Sequence, residues 1–544
     1  MVSASALVFA AAIAAPSAYY EVPASGGGSV KAPSPTPALA YDPAFPTDIG
    51  HAGPTSPGGW PFRAQVDAFN VTQPDDDKAM QLHWVPKDAA ASGATSDDIF
   101  RNLGAPSPYR PSRDLFPDTM AYQAVPPTCS IKQVHIISRH GSRYPTDGTS
   151  QGPGQLAERL QKAKSSGTLQ AHGDLAFLQS WEYQLGDSLL TNQGAHDMFQ
   201  AGSRAYYNYA ALLRHQKGKP IIRTTSQRRM LDSARYWAMG FFGWNAAEQV
   251  HFEVLDEAKN QNSTLSPKYA CPNARDVTFK FGRQMMAEWN AKFVPPITER
   301  LQRMLTGYEL DDQDTINMMS MCAYETAGMG YSHFCGLFTK EEWEDFEYAA
   351  DLHFQGDHGF LNPMGKAQGI GWVSEFLARL TNKPFQGPVT SQNRTMDTNT
   401  TYFPLDQPIY VDFTHDTVLT SIFTALNLTQ LADPLTTAHA DPHRTYRTSW
   451  VTPFAARFVF EVLTCEDQDY IRMKMNDAIV PLNEDQGCAK PRRDGLCPVR
   501  GFVNELKRAY ESSRFDLACF GDNGTDFIVQ GPARFGTLDQ AQIL

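Results

Sequence analysis

Three stretches of the chain share one hydrophobic pattern: an apolar strand, a polar turn, then apolar residues at helical spacing. The first is Ile131–Ile137, leading into Ser138-Arg139-His140-Gly141. The second is Pro220-Ile221-Ile222, which runs through Arg223 and Ser226 to Met230, Ala234, Trp237, Ala238 and Phe241 on one helical side. The third is Ile409–Phe413, leading into Thr414-His415-Asp416 and then Val418, Ile422, Phe423 and Leu426. Strands alternating with helices predict an α/β sheet that binds ligands at the carboxyl ends of its strands. From about 258 to 385 the pattern becomes helical, with helices expected over Arg283–Leu305, Asp312–Met321, Lys340–His353 and Lys366–Leu380. We read that stretch as a helical insertion over one edge of the sheet, within an α/β core at 101–257 and 386–544.

The N-terminus reads differently. The apolar run Ala6–Ala15 is too short to cross a bilayer, and with Pro16-Ser17-Ala18 behind it it fits a signal peptide over residues 1–18. Residues 19–62 hold nine prolines and seven glycines, too little apolar area to offset the entropy of ordering. Together with the mixed stretch 63–100 they are expected to form a disordered leader, 19–100, ahead of a folded domain 101–544. No run of eighteen apolar residues occurs, so no membrane span is expected.

Composition narrows the function. With 42% hydrophobic residues the 544-residue chain has ample material for a large core. Its 47 basic and 59 acidic side chains leave a formal charge of −12 and no basic stripe, which argues against nucleic acid as a standing partner. Small phosphorylated ligands stay open, since they need only a few local arginines. The eight cysteines include no C-x-x-C pair, so disulfides in an exported chain are the better reading than a metal site. Six sequons, at Asn70, Asn262, Asn393, Asn399, Asn427 and Asn523, also point outside the cell.

Arg139-His140-Gly141-Ser142-Arg143-Tyr144-Pro145-Thr146 carries the chemistry. Two guanidiniums flank one imidazole just after a buried strand; arginine forks match phosphate oxygens, and an imidazole among cations stays neutral and nucleophilic. The bare R-H-G triplet alone would read as a surface turn. For His415-Asp416 the structural alternative is an aspartate N-cap, compatible with a proton-donating role. Arg223 and Arg228 are expected to pair with nearby acids, His135 to sit in the core or at the surface, and Tyr206-Tyr207-Asn208-Tyr209 to serve helix packing.

The full string R-H-G-x-R-x-P after a strand resembles the signature of the histidine acid phosphatase family, in the histidine phosphatase superfamily. Thr414-His415-Asp416-Thr417 resembles the family's His-Asp element, and Leu190-Thr191-Asn192-Gln193-Gly194 its L-T-x-x-G helix start. Arg223–Ala234 resembles the strand-turn-helix that supplies a third arginine, with Ser233-Ala234 setting the register on Arg229. Phe293–Ile297, Phe334–Phe338 and Trp450–Ala455 are most similar to secreted fungal phytases.

This resemblance implies a phosphoglycerate-mutase-like α/β sandwich with a smaller inserted helical domain. It implies His140 as nucleophile, forming phosphohistidine, and Asp416 as the acid for the leaving alkoxide. Arg139, Arg143, Arg229 and His415 would clamp phosphate oxygens, Thr146 would donate a hydroxyl, and no metal or other cofactor would be needed. It also implies the disulfides Cys129–Cys465, Cys271–Cys519, Cys322–Cys335 and Cys488–Cys497. The expected partner is a small phosphomonoester, with no nucleic acid or membrane, and the expected form is a secreted monomer. Where fungal phytases place lysines before the cysteine matching Cys335, this chain has Tyr331-Ser332-His333. A phytase and a broader acid phosphatase therefore both stand, and a non-catalytic phosphate binder is the third reading.

Overall fold

The computed structural model describes residues 84–146, 152–259, 261–278, 280–385, 387–388, 390–521 and 535–537. The described residues all belong to one compact unit, Asp48–Leu544. The expected signal peptide, the first part of the leader, and Asn70 and Asn523 lie outside the described residues.

An eight-stranded mixed sheet organises the molecule. Its strands are β1 (Cys129–Arg139), β2 (Ile221–Thr225), β3 (His251–Leu255), β4 (Ile409–Thr414), β5 (Arg457–Cys465), β6 (Gln468–Met475), β7 (Ala478–Ile479) and β8 (Cys497–Pro498). The spatial order is β8-β6-β5-β1-β4-β2-β3, with β7 paired to β6. β1, β4, β2 and β3 are mutually parallel, whereas β5, β6, β7 and β8 extend the sheet in antiparallel fashion. Parallel strands need crossover helices on their faces, which is why β1 is fully buried from Val134 onward while its first residues are half-exposed.

The main helices are α1 (Pro153–Ser165), α2 (Asn192–Tyr209), α3 (Arg228–Phe242), α4 (Phe281–Gln302), α5 (Asp312–Met329), α6 (Lys340–His358), α7 (Gly365–Thr381), α8 (Asp416–Ala425) and α9 (Val499–Ser512). Alternation along the strands builds two cores. Val134, Ile136, Val411 and Val459 face α2 and α3, burying Met198, Ala201, Met230 and Trp237. Ile137, Phe458 and Phe460 face the other way, onto Trp372 and Phe376 of α7 and Ile422 of α8. α7 lies close enough to the sheet for Arg379 and Trp372 to bond Asp412 of β4 at 2.7 and 2.8 Å.

One expectation changes here. The leader does not extend to residue 100: Ile99 and Phe100 are buried in the core and Trp84 packs over Gly336. Their apolar area is enough to order the short helix Asp97–Phe100. The aromatic run packs as expected at two positions, Tyr209 in the core, donating to Glu461 at 2.7 Å, and Tyr206 edge to face on Phe241 of α3, while Tyr207 is 85% exposed. Cysteines join as Cys129–Cys465, Cys271–Cys519, Cys322–Cys335 and Cys488–Cys497, the pairs the resemblance implies.

Candidate active site

The carboxyl ends of the four parallel strands converge on one site. Arg139 ends β1, and Arg139 and Thr414 are register partners, so His140 and His415 leave adjacent strands side by side. Their rings approach edge to face with centroids 5.8 Å apart. The loop after His140 is fixed by its approach to α2: a Cβ on Gly141 would lie 2.4 Å from the Gly194 carbonyl, and one on Gly194 would lie 2.0 Å from that of Ser142. Thr191 caps α2 by accepting from the Gly194 N–H, and its own N–H and hydroxyl both donate to the Ser142 carbonyl. That pairing explains the L-T-x-x-G segment physically: the helix start clamps the signature loop.

His140 is buried, and its Nδ1 lies 2.8 Å from the Gly141 carbonyl. A carbonyl only accepts, so Nδ1 carries the proton and Nε2 keeps the lone pair. Burial, reinforced by Arg139, Arg229, Arg143 and His415, holds the imidazole well below its ordinary pKa. It is therefore held in the neutral form at neutral pH and on into the acidic side.

Arg139 is wholly buried beneath Phe454, 4.6 Å from the ring centroid, and donates to the carbonyls of Ala105 and, at 2.8 Å, Thr452. Its Nη2 contacts Asp416 Oδ2 at 2.6 Å. Burial lowers Arg139 to about 10 and Arg229 to about 9, so both remain cations in acid. Arg139, Arg143 and Arg229 each leave a buried Nε without a partner among the described residues. Three under-satisfied guanidiniums around one imidazole fit a tetrahedral oxyanion. Thr146 lies exposed just beyond the buried Tyr144, and residues 147–151 fall outside the described residues.

The neighbouring arginines are accounted for. Arg228 is exposed and pairs with Asp232 at 2.8 Å. Arg223 is buried between Asp412 at 2.8 Å and Glu375 at 2.6 Å, beneath the sheet and away from the loop. Asp416 is the first residue of α8, with His415 at the N-cap position, so aspartate does not take the capping place. Burial opposes ionisation of Asp416, but Arg139, Arg143 and His415 outweigh it and hold the carboxyl below its usual value.

Sequence reasoning missed Glu257, just past β3. Its Oε1 meets His415 Nε2 at 2.8 Å, and its Oε2 accepts from Gln227 and Ser266 at 2.8 and 3.1 Å. Burial would raise this carboxyl, yet His415 and the hydrogen bonds around it bring it down to about 2. Glu257 thereby fixes the His415 ring. The signal was present: His251–Leu255 followed by Asp256-Glu257 repeats the strand-then-polar-turn form of the other three strands. A cavity of about 190 Å³ opens beside His415 and Asp416, lined also by Gln227, Lys268, His358 and Gln368. His333 is not part of that lining; its ring stacks on Phe177, with Trp84 and Tyr331 at its edges.

The family model for the histidine phosphatase superfamily (branch 2) matches residues 130–476, the stretch that builds this site. The chain belongs to that family and is a phosphoric monoester hydrolase. It is 33% identical over 428 residues to Phytase A of Emericella nidulans, covering 76% of this chain and 89% of the relative. It is 34% identical over 407 residues to Phytase A of Penicillium oxalicum, covering 71% and 85%. The fold is similar to the crystal structure of the phytase from D. castellii, with a TM-score of 0.66 at 21% identity over 86% of this chain and 94% of that one.

Proposed function

We propose that the chain is a secreted, monomeric acid phosphatase of the phytase type that works through a phosphohistidine. The observation that carries this is a neutral His140 Nε2 set among three guanidiniums with Asp416 alongside. Nε2 attacks phosphorus as the P–O bond to the leaving group breaks. Asp416 gives its proton to the departing oxygen, which an alkoxide leaving group requires. Arg139, Arg143, Arg229, His415 and Thr146 bind the phosphoryl oxygens and stabilise charge in the transition state. Water then attacks the phosphohistidine, with the Asp416 carboxylate taking its proton and the imidazole leaving.

Inositol hexakisphosphate, which the relatives named phytase point to, carries further phosphates. Exposed Lys268, on the cavity beside Asp416, supplies a cation for one of them. A broader acid phosphatase is the second reading, favoured by the Tyr331–His333 stretch: Ser332 is buried on Glu325 and His333 is stacked among aromatics, so neither replaces a substrate-facing lysine. The four disulfides and the sequons, of which Asn399 is exposed, support export. The test is phosphate release by purified protein from inositol hexakisphosphate and from a simple alkyl monoester across pH 3–8, for wild type and Lys268→Ala. The phytase reading expects a bell-shaped profile centred below neutral, with Lys268→Ala impairing the hexakisphosphate selectively. Equal effects on both substrates leave the broad phosphatase, and no release from either refutes the function.

A further inference from the structure

A second cavity, of about 310 Å³, lies on the α2–α3 side of the sheet and shares no residue with the candidate active site. Its cationic wall is Arg113, Arg204 of α2, Arg457 of β5 and Lys474 of β6, drawn from four separate parts of the chain. In a protein of net charge −12, such convergence is not a matter of composition.

The carboxylates available do not balance it. Asp477 serves both Arg204, at 2.8 Å, and Arg457, at 3.5 Å. Lys474 reaches Glu461 at 2.8 Å, but that carboxylate is already held by Arg472 at 2.6 Å. Arg113 is exposed and has no ion pair among the described residues, although Asp477 feels its charge. The lining thus holds four cations and a single carboxylate, Asp477. Asp197, which also feels Arg457, is occupied by Ser142 and Gln193, and burial pushes it toward the neutral form. Beside the cations the sheet floor is apolar: Val459 is in register with Lys474 on one side and Ile136 on the other, and the buried indole of Trp237 also lines the cavity. A ring of benzene size fits about 150 Å³, which leaves room here for one tetrahedral anion.

We propose that this cavity is a second anion site, taking a small ring-bearing phosphate ester or phosphonate with its anion on Arg113, Arg204 and Arg457 and its ring against Trp237. Guanidinium forks suit a tetrahedral dianion, and an apolar floor favours a ligand with a nonpolar face over a bare ion. Two sources share this chemistry, aromatic phosphates and the partly dephosphorylated inositol ring with its C–H face.

The experiment is ¹⁹F NMR of the full-length protein with 4-fluorophenylphosphonate, whose C–P bond a phosphatase does not hydrolyse. Wild type is expected to show two bound resonances. Arg229→Ala should remove one, and the pair Arg113→Ala with Arg204→Ala should weaken the other by at least about tenfold. Phosphate release by the pair should stay at the wild-type rate, which also reports an intact fold. Displacement of the pocket resonance by inositol monophosphate identifies the inositol source, and resistance to it identifies the aromatic one. A single bound resonance in wild type, two undiminished ones in the Arg113 and Arg204 variant, or displacement by inorganic phosphate as effective as by the ring compounds would overturn the proposal.

Discussion

Asp416→Asn separates proton donation from every other task at the site. Asparagine keeps the size of the side chain and still accepts from Arg139, so the wholly buried guanidinium is not left without a partner. It cannot protonate a leaving group. In the free protein the Asp416 carboxylate sits 2.6 Å from Arg139 Nη2, and together with Arg143 and His415 that keeps it ionised. An arriving phosphate must draw Arg139 away from this contact. Once it does, Asp416 exchanges a cationic neighbour for an anionic one, its proton affinity rises, and it becomes an acid only when substrate is bound.

Two effects of opposite sign follow. Loss of the acid should lower kcat on an alkyl or inositol phosphate by about 10²–10⁴-fold, the usual contribution of a general acid. An aryl phosphate departs as a stabilised phenolate and should lose far less. Replacing the charge-assisted contact by a neutral one removes part of about 1.5–3 kcal/mol that substrate must otherwise displace. KM should therefore fall, by about tenfold at the upper end. The assay is steady-state kinetics of wild type and Asp416→Asn on an alkyl and an aryl phosphate, with Tm as a control for folding. Equal kcat losses on the two esters, or a raised KM, would refute both the acid role and the competition for Arg139.

Other outcomes are expected from the same geometry. His140→Ala abolishes turnover, and wild type quenched in alkali carries an acid-labile, base-stable phosphohistidine that radiolabelled substrate detects; turnover at the wild-type rate in the variant removes His140 as nucleophile. Glu257→Gln strips the charge facing His415 and lowers kcat/KM by about tenfold or more, measured on the alkyl ester; an unchanged value would show that the 2.8 Å contact is incidental. Chelators leave the rate unchanged while vanadate inhibits, and inactivation by a chelator that a divalent metal reverses counts against the mechanism. Burial raises the Glu253 carboxyl to about 8 from an ordinary 4.5, so the unfolded chain releases that proton first. Its contribution to stability is present in full below about pH 4.5 and shrinks toward pH 8. Glu253→Gln should flatten the fall in Tm over that window, and an identical slope would place the titration elsewhere.

The parts legible in the sequence are those whose physics is local. Ile131–Ile137 followed by Arg139-His140-Gly141 can be read because a buried strand imposes a continuous apolar run and its end must turn at once into polar side chains. Gly194 could be quoted as part of a resemblance, but its reason is the Ser142 carbonyl on a different element, so only the folded chain supplies it. Arg229 rather than Arg228 faces the site because of helical phase: with Met230, Ala234, Trp237 and Ala238 turned to the core, one of two adjacent arginines must turn outward, and Arg228 does so to meet Asp232 one turn on. Glu257 marks where this kind of reading stops. Nothing near it in sequence distinguishes it from Asp256; its partner His415 is 158 residues away and is brought to it only by β4 and β3 lying in one parallel array on either side of β2. The same array gathers Arg139, His140, Glu257, His415 and Asp416 at one edge, so a carboxylate at the end of a parallel strand is a candidate even when no motif names it.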